Sequence, residues 1–149
     1  MTPKLRIAAI TDEFSPELEK SLVVMQNIGM TGAELRVVWG RNIMDLSNDE
    51  VKLATELCRE HRMEIISIAS PILKCVLPGV SQVDTRFQQD IFASKHTFDD
   101  QSRLTDRAFE IAKITGAGIV RVFPTGAPSS RTPVSTAFVK PWAIWQRKP

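Results

Sequence analysis

The chain has 149 residues, 43% of them hydrophobic and 24% charged, with a formal net charge of +2. That is enough for one domain with a real core, and so small a charge excess gives no reason to expect nucleic acid or a membrane surface as partner. No apolar run approaches the length needed to span a bilayer, and Cys58 and Cys75, with no CxxC spacing, fit reduced thiols in a cytoplasmic protein. The opening apolar run is too short for a signal peptide and soon meets Asp12 and Glu13.

Residues 6–11 form an apolar run of strand length. Ser15-Pro16-Glu17 reads as a helix start, with Ser as cap, Pro at the first helical position and an acid at the positive end. Leu18, Leu22, Met25 and Ile28 follow at helical spacing, and Gly29 is the expected stop. The second strand is expected over 33–38, within Gly-Ala-Glu-Leu-Arg-Val-Val-Trp-Gly. Alternation puts Leu35 and Val37 on one face and Glu34, Arg36 and Val38 on the other. An acid and a base inside an apolar strand must find partners if buried, at a cost in desolvation. They read either as a structural Glu–Arg pair or as part of a polar site.

Ser47-Asn48-Asp49-Glu50 is a capping-box pattern for a second helix with an inner stripe of Val51, Ala54, Leu57, Cys58 and His61. A third strand is expected over 65–69, ended by Ser70-Pro71. Residues 72–96 read as a long irregular connection containing Lys74 and His96; such loops in compact domains tend to be functional lids or disordered. Thr97-Phe98-Asp99-Asp100 repeats the capping-box pattern, Leu104, Ala108, Ile111 and Ala112 give the apolar face, and Gly116 closes the helix. The fourth strand is expected over 119–123 and carries Arg121.

Strand and helix thus alternate. The fold class is α/β, about four parallel strands with three intervening helices. Glu34, Arg36 and Arg121 lie toward the carboxyl ends of strands, where parallel α/β folds place ligands. Thr11-Asp12-Glu13-Phe14 after the first strand is the opposite of a phosphate-cradling glycine loop, which argues against a Rossmann or P-loop fold.

The run Ile-Gly-Met-Thr-Gly-Ala-Glu-Leu-Arg over 28–36, with Trp39-Gly40, Asn42 and Asp45-Leu46-Ser47, resembles the xylose-isomerase-like TIM-barrel family of sugar phosphate isomerases and epimerases. Ser67-Ile68-Ala69-Ser70-Pro71 with Lys74, and Arg107 to Ala112 leading to Gly116-Ala117 and Val120-Arg121-Val122-Phe123, extend the resemblance. It implies a partial (β/α)8 barrel over residues 1–123, about half of the roughly 250 residues of a full one. It further implies a small sugar or sugar phosphate as ligand and, in the full-length family, a divalent metal that polarises substrate oxygens while a proton moves between adjacent carbons. Glu34, Arg36 and Arg121 would line the mouth, and Lys74 and His96 would reach it from the connection; a solvated lysine and a histidine decorating a helix cap are the plainer alternatives. The family's metal ligands come mostly from later strands, so this chain is expected to bind no metal and to be inactive alone. The other reading is a non-catalytic half-barrel that binds a ligand or self-associates through exposed sheet edges. The endonuclease branch of the same superfamily fits poorly: strand ends at Ser70-Pro71 and Phe123-Pro124 supply no histidine, and there is no basic stripe.

Residues 124–149 read as an irregular tail, with turn-forming Pro, Gly and Ser followed by Trp142, Trp145, Arg147 and Lys148 and not one acid. A disordered segment and a basic aromatic patch are two readings. A slipped reading frame is the third: with GC-rich synonymous codons, one T restored after the Phe123 codon turns the same nucleotides into a strand end, a turn-rich loop and the amphipathic run Val-Arg-Glu-Ala-Leu-Gly-Asp-Leu-Ala-Glu-Lys-Ala.

Overall fold

The computed structural model describes residues 6–75, 78 and 96–123. The tail expected over 124–149, its frameshift reading and most of the connection expected over 72–96 lie outside the described residues. The elements are β1 (Ala8–Ile10), α1 (Leu18–Asn27), β2 (Gly32–Leu35), β3 (Val37–Val38), β4 (Arg41–Asn42), α2 (Asn48–Glu60), β5 (Glu64–Ile68), α3 (Gln101–Thr115) and β6 (Ile119–Val120). β1, β2, β5 and β6 form one parallel sheet in that order, and β3 and β4 form a separate antiparallel hairpin. Among the described residues the α/β class, four parallel strands and three helices are as expected. Among the described residues the sheet is open, with β1 and β6 at its margins.

The helices cover one face of the sheet. Leu18, Leu22 and Met25 of α1, Val51, Ala54 and Cys58 of α2, and Leu104, Ala108 and Ile111 of α3 join Ala33, Leu35, Ile65 and Ile68 of the strands in one buried cluster. Each large aliphatic side chain so buried contributes about 1.5–3 kcal/mol. The capping box of α2 forms as expected: the Ser47 hydroxyl accepts from the Glu50 N–H and the Glu50 carboxylate accepts from the Ser47 N–H. Gly29 and Gly116 end their helices at φ of +84° and +76°, a conformation that glycine adopts without steric penalty.

Three expected boundaries are corrected. α1 begins at Leu18 rather than at Pro16, because the Ser15 hydroxyl accepts from the Glu17 N–H and its carbonyl accepts from the Ser21 hydroxyl, which makes a turn before the helix. In the Thr97–Asp100 motif the Thr97 hydroxyl donates to the Asp100 carboxylate, which also accepts from the Thr97 N–H, so α3 begins one residue beyond the motif, at Gln101. The strand expected over 33–38 breaks at Arg36. There the Arg36 carbonyl accepts from the Ile43 N–H, and the chain turns into the β3–β4 hairpin through Trp39 and Gly40, both at positive φ as a two-residue I′-type turn requires. Val38, expected on the polar face with Glu34 and Arg36, is for that reason fully buried in the core.

One irregularity shapes the sheet. Ala33 pairs with Ile65, but Glu34 pairs with Ser67, so the register slips by one residue. Without the slip Ser67 would sit beside Leu35, on the face that the helices cover. The slip sets it beside Glu34, on the opposite face. Gly32 makes room nearby: a Cβ there would lie 2.7 Å from the Ala8 Cβ and 2.8 Å from the Ile66 Cγ1.

Candidate functional site

Polar side chains collect at the carboxyl ends of the parallel strands, in two groups. The first joins β1 to β2. Thr11–Glu13 is a short 3-10 turn directly after β1, which brings Asp12 level with Arg36. The Arg36 Nε and Nη2 donate to Asp12 Oδ2 at 2.9 and 2.7 Å, and Nη2 donates to Glu13 Oε1 at 2.7 Å. Asp12 Oδ1 accepts from the Val37 N–H at 3.1 Å. The Asp12 side chain is 5% exposed and that of Arg36 14%. Burial alone would lower the Arg36 pKa, but the hydrogen bonds and charges of Asp12, then of Glu13, outweigh it and hold the guanidinium above its ordinary value. This group fixes the turn after β1 against the start of the hairpin.

The second group lies on the face away from the helices, across β2, β5 and β6. Arg121 Nη1 stands 3.1 Å from Glu34 Oε1, an ion-pair distance whose angle falls short of a hydrogen bond. The Arg121 backbone continues the alignment of β6, its N–H donating to the Ile68 carbonyl and its carbonyl accepting from the Ser70 hydroxyl at 2.6 Å. The guanidinium carbon lies 5.1 Å from the centre of the Phe123 ring, and Lys74 Nζ lies 5.0 Å from the same centre. Both are within cation–π range. Lys74 is 8% exposed, held down by a turn in which its N–H donates to the Pro71 carbonyl. That turn is tied in at the Leu73 N–H, which donates to the Gln101 side chain at 2.7 Å. Glu34 Oε1, Ser67 Oγ and Arg121 Nε are buried without a hydrogen-bond partner among the described residues.

Of the five residues expected at the mouth, Glu34, Arg121 and Lys74 come together, linked through Arg121 and Phe123. Arg36 is not Glu34's partner: the chain leaves the sheet at Arg36, and its side chain meets Asp12 and Glu13 instead. His96, partly exposed, precedes the Thr97 turn before α3 and takes part in none of these contacts. Asp12, Ser67 and Phe123 were missed. An acid placed directly after β1 was a usable signal for Asp12, whereas Ser67 depends on a register slip that Ile-Ile-Ser-Ile does not announce.

No group of three His, Cys, Asp or Glu side chains among the described residues is placed to hold a metal ion. The acids at the strand ends, Asp12, Glu13 and Glu34, are each ion-paired with an arginine. Burial pushes the Cys58 thiol up to about 12 and raises that of Cys75. Compared with family models and with curated proteins, the chain matches none.

Proposed function

We propose that the described sheet is the first half of a xylose-isomerase-like barrel and that its strand ends bind a small sugar or sugar phosphate without turning it over. The observation that carries this reading is the Glu34–Arg121 pair, spanning three strands at the carboxyl ends of a parallel sheet. Ligands of parallel α/β folds sit at those ends, and a hydroxyl-rich molecule suits an array of donors and acceptors on fixed strands. The metal donors that the resemblance assigns to later strands have no counterpart among the described residues. The reading is of binding rather than of isomerisation.

The test uses the purified 149-residue chain. D-fructose and D-fructose 6-phosphate are titrated and followed by NMR, and aldose–ketose interconversion is assayed with Mg2+ or Mn2+ and again with a chelator. Saturable binding of either compound without turnover is expected. Failure of both to bind defeats the proposal, as does interconversion that the chelator abolishes.

A second reading, self-association, is favoured by the open margins at β1 and β6 and by the 55% exposure of Ile119. Light scattering on the eluting protein separates the two: a compact dimer supports self-association, a monomer the ligand-binding reading alone.

A further inference from the structure

We infer that Ser67 is a ligand-contacting residue and that the seat it forms with Glu34 and Arg121 takes an uncharged hydroxy-carbonyl or vicinal-diol group. This rests on the binding reading above and says which part of the ligand sits there. Ser67 is 5% exposed, and among the described residues its hydroxyl has no hydrogen-bond partner; nor have the buried Arg121 Nε and Glu34 Oε1, although Glu34 Oε1 is ion-paired with Arg121 Nη1. Burying such groups unsatisfied costs free energy, so three at one place call for a common partner. The register puts them together. Ser67 pairs with Glu34 on one side and with Ile119 on the other, and Arg121 follows Ile119 by two residues, on the same face. Ser67 reaches that face only through the slip in register, and such bulges concentrate beside sites.

The chemistry of the atoms defines the group. Arg121 Nε–H offers one donor, Glu34 Oε1 one acceptor, and the Ser67 hydroxyl serves as either. A carbonyl or ether oxygen beside a hydroxyl satisfies all three: the first accepts from Arg121 and the second donates to Glu34. Glu34 already balances Arg121, so the pair is neutral as a unit. A phosphate or carboxylate in this seat would be pressed against the Glu34 carboxylate.

The experiment titrates D-fructose, and separately inorganic phosphate, into the isotopically labelled full chain and into Ser67→Ala. D-fructose should move the Arg121 Nε–H resonance saturably, and phosphate at equal concentration should not. Ser67→Ala should weaken D-fructose about two- to tenfold, the loss of one hydrogen bond. It should leave the melting temperature equal or higher, because the hydroxyl it removes has no hydrogen-bond partner among the described residues. A lower melting temperature, unaltered affinity in the variant, or phosphate competing at Arg121 would each overturn the inference. Saturable D-fructose binding that shifts only the Asp12–Arg36 group would overturn this seat and leave the binding reading standing. No binding of D-fructose or of its phosphate ester would remove both.

Discussion

Arg62 and Gly29 occupy the same place in two helices. After α1, the Met30 N–H reaches the Met25 carbonyl and the Gly29 N–H the Gln26 carbonyl, both at 3.0 Å. After α2, the Met63 N–H reaches the Cys58 carbonyl at 2.8 Å and the Arg62 N–H the Arg59 carbonyl at 2.9 Å. Both are Schellman motifs, and both need a residue in the left-handed region. Gly29 meets the need freely, whereas Arg62 does so at φ +59° with a Cβ crowding its own carbonyl. Arg62→Gly should stabilise the fold by about 0.5–1 kcal/mol, the relief of strain less the extra entropy of an unfolded glycine. A higher denaturant midpoint at constant slope is the measurement. Residue identities made Gly29 legible as a stop, while nothing in Arg62 announced the same geometry. For a related reason the structural Glu34–Arg36 pair, one of the two readings of that strand, gives way to another: Glu34 is nearer in sequence, but the fold supplies Asp12 from another strand end.

At the scale of an element, the start of α2 shows what a local pattern can fix. Ser47 and Glu50 lie three residues apart, and their reciprocal bonds need only the first turn of the helix. The same spacing at Thr97–Asp100 misleads, because α3 is started by a tertiary contact. Gln101 donates to the Thr97 carbonyl and accepts from the Leu73 N–H, and that tie lies outside any local window. The Ser47 N–H and then the Arg41 side chain hold Glu50 down from 4.5 to about 2, and the Thr97 N–H and Arg103 do the same for Asp100, from 3.8 to about 2. Each folded-state value is depressed, so the folded chain binds these protons less readily than the unfolded one. The stabilisation is present above the unfolded values and is lost as pH falls from about 4.5 toward about 2. Glu50→Gln should flatten part of the fall in melting temperature across that window, and melts at stepped pH will show it. A fall as steep as the parent's would mean that the capping carboxylate has no share in acid unfolding.

For the whole molecule, alternation of apolar runs with helical stripes was enough to give a sheet of parallel strands. The register slip was not legible, because it depends on packing between strands far apart in the chain. Gly32 is its visible correlate. Gly32→Ala would thrust a Cβ into Ala8 and Ile66, and overpacking of this kind should destabilise the sheet by about 1–3 kcal/mol. Chemical denaturation checks the magnitude. Should the variant prove as stable as the parent, the close approach of β1, β2 and β5 is slacker than described.

The strands stand side by side in the order in which they are translated. Each new one therefore meets a border already laid down by its predecessor, and none must thread between two that have already paired. Such a sheet can grow from its first strand outward as the ribosome extends the chain, one strand and helix at a time, without waiting for the carboxyl terminus.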